Sequence, residues 1–142
     1  MAITVPRGRQ YKLIAEIEIS NVDLLTGVAT KLFDLPPNAV VVDGGAQVVT
    51  QAVAGTSSVL DVGYDLPTGT DDPDAFVTVM ALTGAAYSSE RFSANSTAIR
   101  DFPIGCDVTA TRTVTGADTT PGASRVWVEY YIKDKATEVQ SQ

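Results

Sequence analysis

Alternation of apolar and polar positions predicts β-strands in three segments of this chain. In residues 11–19 every second side chain is apolar, and the positions between them are mostly charged. Residues 126–133 repeat this alternation, and residues 106–114 follow it with Arg112 interrupting the apolar side. A period of two with one apolar face is typical of a strand that buries one side.

Shorter runs rich in β-branched residues extend the β pattern over the rest of the chain, at residues 28–33, 39–42, 47–53 and 58–64. A further run, Phe76–Leu82, is apolar on both faces except for Thr78. Such a run is typical of a strand in the middle of a packed sandwich. Clusters of Gly, Pro, Asp and Asn predict turns between the runs, at residues 36–38, 43–45, 55–57, 67–69, 72–73 and 115–118.

About eight short strands with regular turns predict an all-β, single-domain antiparallel β-sandwich that is jelly-roll-like. We divide the 142 residues into an N-terminal arm at 1–10, the sandwich at 11–133 and a C-terminal tail at 134–142. The predicted core consists of the apolar positions in the clearest strands, namely Tyr11, Leu13, Ile17, Leu60, Val62, Phe76, Met80, Val108, Val128, Tyr130 and Ile132.

The net charge and the lengths of the apolar runs make two classes of partner poor candidates, and the formal net charge is -7. Nucleic-acid binding depends on clustered Lys and Arg that release counterions, so we expect no nucleic-acid partner. No apolar run approaches the roughly 18 residues that cross a bilayer, so we expect no membrane partner. The first residues also lack the basic-then-apolar pattern of a signal peptide, which favours synthesis in the cytoplasm.

The sequence contains no histidine and a single cysteine, Cys106. Without histidine the chain lacks the commonest general base, the commonest zinc ligand and any Ser–His or Cys–His pair. A single cysteine cannot form an internal disulfide, and Cys106 lies on the apolar side of its strand, where a small buried hydrophobe is expected. We therefore predict that the protein is not an enzyme and that it has no cofactor.

Two groups of carboxylates are the remaining candidates for chemistry. Glu16 and Glu18 share one strand face at a separation of about 7 Å, which glycosidases also use, but neighbours on one strand rarely flank a substrate from opposite sides. Asp71, Asp72 and Asp74 could supply oxygen ligands to calcium. The segment lacks EF-hand spacing, and Asp-Pro is ordinary turn chemistry, so we predict a solvated turn and no metal site.

Five residues are candidates for contact with a partner. Trp127 and Tyr131 share the charged face of the last strand, and large aromatic residues are enriched at interfaces; coverage by a neighbouring loop or tail is the equal alternative. Arg7, Arg9 and Lys12 form a basic arm on an acidic protein, which could bind an acidic partner surface or simply be solvated.

A longer stretch resembles a known family. Lys31-Leu32-Phe33-Asp34-Leu35-Pro36-Pro37 leads into the Val-rich run up to Asp43, and Leu60-Asp61-Val62-Gly63 precedes an acidic loop. This order of motifs resembles the capsid decoration, or cement, proteins of tailed bacteriophages over roughly residues 28–85. The resemblance implies a β-sandwich that binds the outer face of an icosahedral shell, often as a trimer, and it implies no catalytic residues.

From these observations we predict a structural virion protein on the capsid surface, made in the host cytoplasm, with the major capsid protein and its own copies as partners. The alternative is a receptor- or carbohydrate-binding β-sandwich of a phage tail or fibre. A third hypothesis is a glycan hydrolase that uses carboxylates as its catalytic groups. Aromatic residues in a concave groove would favour the second, and two carboxylates facing each other across a cleft would favour the third.

Overall fold

The computed structural model describes residues 11–92 and 100–133. They form eleven strands and one short 3₁₀ turn at Asn21–Asp23. The strands are β1 Leu13–Ser20, β2 Ala29–Leu35, β3 Ala39–Thr50, β4 Val53–Ala54, β5 Ser57–Asp65, β6 Asp72–Ala81, β7 Ser89–Arg91, β8 Asp101–Phe102, β9 Cys106–Thr115, β10 Asp118–Thr120 and β11 Ala123–Ile132. No helix in this part of the chain is long and apolar enough to cross a membrane.

Two antiparallel sheets account for most of the fold. The five-stranded sheet has the order β1-β11-β3-β7, with β8 also paired to β3, and the four-stranded sheet has the order β2-β9-β5-β6. A small two-stranded sheet joins β4 and β10. The predicted all-β sandwich with a jelly-roll-like character is confirmed, with more strands than the turn signals indicated.

The three alternating segments form β1, β9 and β11, as predicted. β11 is central to the five-stranded sheet, since it pairs with β1 on one side and with β3 on the other. Val126 and Val128 on β11 are fully buried. Trp127 and Glu129 alternate with them and therefore face outward.

The inward faces of the two sheets supply one hydrophobic core. Phe76 on β6 stacks against Phe92, which follows β7, with ring centroids 4.7 Å apart. Tyr64 and Phe102 pack edge to face beside this pair at 5.1 Å. These aromatic contacts join elements of both sheets, which is why the two sheets pack as a single unit.

The predicted core residues divide into three groups. Six are buried, namely Leu60, Val62, Phe76, Met80, Val108 and Val128. Ile17 and Tyr130 are partly buried against the core, and Ile132 is half-buried. The prediction was wrong for Tyr11 and Leu13, which are 47% and 36% exposed. Both lie at the N-terminal end of an edge strand or just before it, where the sheet offers neighbours on one side only.

The turn predicted at Asp43-Gly44-Gly45 is wrong, because β3 runs unbroken from Ala39 to Thr50. The glycines serve close packing instead. A Cβ on Gly45 would lie 2.8 Å from the Trp127 ring, and one on Gly44 would collide with Phe92. Glycine in a strand interior often marks such a close approach.

The run Phe76–Leu82 is also placed differently from the prediction. Residues 76–81 of that run belong to β6, which lies at an edge of the four-stranded sheet rather than in its middle. Asp72-Pro73, predicted as a turn, begins this strand, and an edge tolerates the missing N–H of proline. Val79 is 57% exposed and has a positive φ, and its N–H donates to Oδ1 of Asp61 at 2.6 Å.

Candidate functional site

The outward face of the five-stranded sheet carries the strongest candidate for a binding surface, and Trp127 lies at its centre. Cα pairing places Trp127 between Glu16 on β1 and Gly45 on β3. Because Gly45 has no side chain, the indole ring can lie over the β3 backbone. Trp127 is therefore half-buried by its own sheet while one part of the ring faces outward.

An open depression of about 270 Å³ surrounds this ring. Its lining consists of one apolar, one aromatic, one amide and three charged side chains, namely Ile14, Trp127, Gln47, Glu16, Arg125 and Glu129. A partly exposed aromatic residue surrounded by polar and charged groups has the composition of an interface centre with its rim.

The charges around Trp127 are paired within the chain. Arg125 is shared by two carboxylates, since its Nε lies 3.2 Å from Oε1 of Glu16 and its Nη2 lies 3.5 Å from Oε2 of Glu18. The Nζ of Lys12 lies 3.1 Å from Oε1 of Glu129. Glu16 and Glu18 thus point toward one guanidinium on β11, and this geometry does not place them on opposite sides of a substrate.

The structure brings together only some of the predicted partner-binding residues. Lys12 and Trp127 lie on the same outward region, linked through Glu129. Tyr131 is half-buried further along β11 and does not line the depression. Arg7 and Arg9 lie outside the described residues.

Sequence reasoning missed Arg125, Gln47 and Gly45. Arg125 could have been found from its position two residues before Trp127 in the alternating segment. Gly45 and Gln47 could not, because their place beside Trp127 depends on the pairing of β3 with β11.

Two pairs of carboxylates lie where β5 ends and β6 begins, Asp65 with Asp71 and Asp72 with Asp74, and in each pair the charge of one carboxylate disfavours the charge of the other. A side-chain hydrogen bond that the protonated Asp65 carboxyl donates to Asp71, together with the negative charge of Asp71, raises the pKa of Asp65 above its ordinary value. Burial raises the pKa of Asp72, with further contributions from a side-chain hydrogen bond that the protonated Asp72 carboxyl donates to Asp74 and from the negative charge of Asp74. Within residues 11–92 and 100–133, no three acidic, His or Cys side chains converge in a way that would hold a metal ion.

Cys106 begins β9 and is buried. Burial is the main cause that raises the pKa of its thiol to about 12, with a further contribution from the charge of Asp107. The thiol is therefore protonated at neutral pH and is a poor nucleophile, in agreement with its predicted role as a small buried side chain.

Comparison with protein families and with curated proteins finds no match. Comparison with solved structures finds chains of the same fold. A chain in the capsid of Ralstonia phage GP4 superposes with a TM-score of 0.65 and 20% identity, over 95% of this chain and 93% of that one.

Two further structures show the same likeness. A chain of the cyanophage Pam1 capsid asymmetric unit gives a TM-score of 0.61 at 19% identity, covering 93% of this chain and 91% of that one. A chain in the acidic stable capsid of Helicobacter pylori bacteriophage KHP30 gives 0.61 at 19% identity, covering 94% and 100%. Over nearly its whole length, the chain shares its fold with chains in the capsid structures of three bacteriophages.

Proposed function

We propose that this chain is a structural protein of a bacteriophage virion that binds the outer surface of the icosahedral capsid and stabilises it by cross-bridging capsomers. The whole-chain likeness to chains in phage capsid structures carries this proposal. The resemblance of residues 28–85 to decoration proteins supports it independently, because it rests on sequence motifs rather than on the fold.

The extent of the structural match supports a separate small capsid component. The matched region spans nearly all of this chain and 91% to 100% of the neighbours. The neighbours are therefore close to this chain in length, and the likeness is not to one domain of a much larger chain. A free-standing β-sandwich of this size suits attachment to a shell built by another protein.

We assign the contact with the major capsid protein to the outward face around Trp127. An aromatic centre with a polar rim binds a folded protein surface by burying the ring and pairing the rim. Since such a protein would bind the assembled shell, it would stabilise the shell by mass action.

The two other hypotheses, a carbohydrate- or receptor-binding protein and a glycan hydrolase, have less support in the described residues. The depression contains one aromatic ring, whereas a carbohydrate groove would present several. Glu16 and Glu18 share Arg125 instead of facing each other, so we propose a role without catalysis.

Self-association belongs to the same proposal. The family resemblance implies a trimer, and closed symmetry is the rule for homo-oligomers. Three chains of 14.9 kDa would give about 45 kDa, which sedimentation of the free protein would detect.

Rebinding of purified protein to shells that lack it tests the proposal. We expect electron cryo-microscopy to show density for the sandwich on the outer shell surface, and we expect the shells to melt at a higher temperature with the protein bound. Trp127→Ala should weaken binding at least tenfold, while Leu25→Ala, which removes a 67% exposed side chain from the β1–β2 connection, should bind normally. Density on a tail or fibre, or none on the shell, would contradict the proposal.

A further inference from the structure

Among residues 11–92 and 100–133, the edge strand β1 differs from the other edges of the two large sheets because it has none of the features that usually prevent pairing with another strand. It is an eight-residue edge strand that pairs with β11 in an unbroken register over its whole length. Leu13–Ser20 contains no Pro and no Lys, and the lysine that directly precedes it, Lys12, contacts Glu129 on β11 rather than lying within the edge strand. Soluble proteins usually blunt an edge with proline, lysine, a bulge or a very short strand.

Each of the other edges has such a device. β6 begins with Asp72-Pro73 and breaks its register with β5 twice. β2 contains Lys31 and breaks its register with β9. β7 and β8 are three and two residues long. Natural edges are managed this consistently because open N–H and C=O groups recruit other strands.

The charges on β1 do not replace these devices. Glu16 and Glu18 both lean toward Arg125 on β11, which lies on the side of β1 away from its open edge. Apolar side chains remain exposed beside that edge, with Leu13 at 36% and Ile14 at 61%. The edge therefore offers both backbone groups and apolar surface to a partner strand.

The sequence of β1 complements itself in one antiparallel register. Centring a two-fold axis on Ala15 places Leu13 opposite Ile17 on the inward face. On the outward face it places Lys12 opposite Glu18 and Ile14 opposite Glu16. Leu13 with Ile17 is an apolar pair and Lys12 with Glu18 is a pair of opposite charges, and both kinds of cross-strand pair are favourable, whereas Ile14 with Glu16 is neither. Lys12 and Glu18 also contact Glu129 and Arg125 within their own chain, so the ion pair between the two copies would add to these contacts.

Neighbouring registers are worse for a physical reason. Centring the axis on Glu16 places Glu16 opposite itself, and centring it on Ile17 places Glu16 opposite Glu18; like charges directly opposite are destabilising. A slip by one residue would set inward side chains against outward ones. Charge complementarity thus selects a second copy of this chain as the occupant.

We infer that β1 pairs with β1 of a second copy, antiparallel about a two-fold axis at Ala15, so that the two five-stranded sheets become continuous. Strand addition to an exposed edge is a general mode of recognition. The pairing is independent of the proposed function; only its use as a bridge between capsomers rests on that function. In a trimeric state the same contact would join neighbouring trimers.

Cysteine cross-linking of the free protein tests the pairing. In this register the two Ala15 Cα atoms lie about 4.5–5.5 Å apart, within the range that a disulfide spans. We expect Ala15→Cys to form a covalent dimer under mild oxidation, seen on a non-reducing gel. Ser20→Cys is the matched control, because the exposed Ser20 residues of the two copies would lie about 30 Å apart. The native Cys106 is buried and does not compete.

A charge exchange in the Ala15→Cys background tests the register. Lys12→Glu should reduce the yield of covalent dimer at least threefold, because it places Glu opposite Glu18. Adding Glu18→Lys should restore the yield, since the symmetric contact then pairs opposite charges again. Lys133→Glu, the same charge change at a residue outside β1, should leave the yield unchanged.

Absence of the Ala15→Cys dimer, or equal dimer from Ser20→Cys, would overturn the pairing. Loss of yield in Lys12→Glu without restoration by Glu18→Lys would overturn this register. None of these outcomes involves the shell. A dimer that forms normally while the protein fails to bind shells would refute the proposed function and leave the pairing intact.

Discussion

Arg112 on β9 donates a hydrogen bond from Nη2 to Oδ2 of Asp118 on β10 and forms an ion pair with it. The guanidinium is buried, at 3% exposure, and its Nη1 also donates to the carbonyl oxygen of Asn21 at 3.2 Å. Its Nε donates to Oγ of Ser58 at 3.4 Å. One side chain thus joins β5, β9, β10 and the turn after β1. Arg112, which interrupts the apolar side of β9 in the sequence, is therefore a buried charged residue that links these four elements.

Asp118→Ala should destabilise the fold, because it removes the carboxylate that compensates a buried guanidinium. Breaking a buried pair costs about 3–5 kcal/mol, and the partial exposure of Asp118 reduces the expected loss to about 1–3 kcal/mol. Urea unfolding followed by circular dichroism measures this. Asp34→Ala, which removes an exposed ion pair with Lys31, is the control and should change stability by less than about 0.5 kcal/mol. Equal effects of the two substitutions would contradict a stabilising role for the pair of Arg112 and Asp118.

Val128→Ala should cost more than Ile17→Ala, although the sequence pattern assigns both residues to the core. Val128 is fully buried on a central strand, whereas Ile17 is only partly buried on an edge strand. We expect a loss of about 2–3 kcal/mol for Val128→Ala and about 1 kcal/mol for Ile17→Ala. Denaturant unfolding of both variants provides the comparison, and the reverse order would show that β1 is more deeply buried than described.

Gly45→Ala should displace the indole ring, because the new methyl group would lie 2.8 Å from Trp127, and it would also lie 2.6 Å from the backbone oxygen of Glu90 on β7, which adds to the loss of stability. Since Trp127 is the only tryptophan, its fluorescence reports the change directly. We expect a red-shifted emission maximum and a loss of stability of about 1–3 kcal/mol. Thr50→Ala removes atoms from an exposed residue of the same strand that does not line the depression around the ring, and it should leave the emission maximum in place. An unchanged spectrum in Gly45→Ala would mean that the ring does not lie over β3.

Asp72→Asn should stabilise the protein at neutral pH. The pKa of Asp72 in the folded state is raised above the ordinary value of 3.8, chiefly by burial and then by Asp74. The folded state therefore holds this proton more tightly than the unfolded state does, and stability falls as the pH rises through the raised pKa. We expect a higher melting temperature for Asp72→Asn at pH 7 and no gain near pH 3, where the native carboxyl is already protonated. A gain of the same size at both values would exclude titration of Asp72 as the cause.

Replacing Glu16 and Glu18 together with Gln should leave glycan cleavage at the level of the unmodified protein. Both carboxylates are bound to one arginine and lie on one strand. Release of reducing sugars from a panel of polysaccharides measures this. If the unmodified protein cleaves a polysaccharide and the double variant does not, the result would support the hypothesis of a glycan hydrolase.

The strands and their inward faces could be predicted from sequence wherever one face meets the core and the other meets water. The alternation in residues 106–114 and 126–133 arises from that contrast, since successive side chains on a strand point to opposite faces. For the same reason the sequence placed Trp127 on the outward face. The lack of histidine was equally visible, because it is a property of composition.

Only the tertiary structure determined what lies beside each strand. Gly44 and Gly45 have the composition of a turn, and their role became visible only when Phe92 and Trp127 were seen against them. The partner of Arg112 could not be identified before β9, β10 and the turn after β1 were brought together. Whether β1 or β6 lies at an edge depends on strand order. The alternation of apolar and polar residues indicates which face of a strand is buried in the core. The neighbours of a strand within a sheet depend on contacts between residues far apart in the chain, and such contacts leave no local pattern in the sequence.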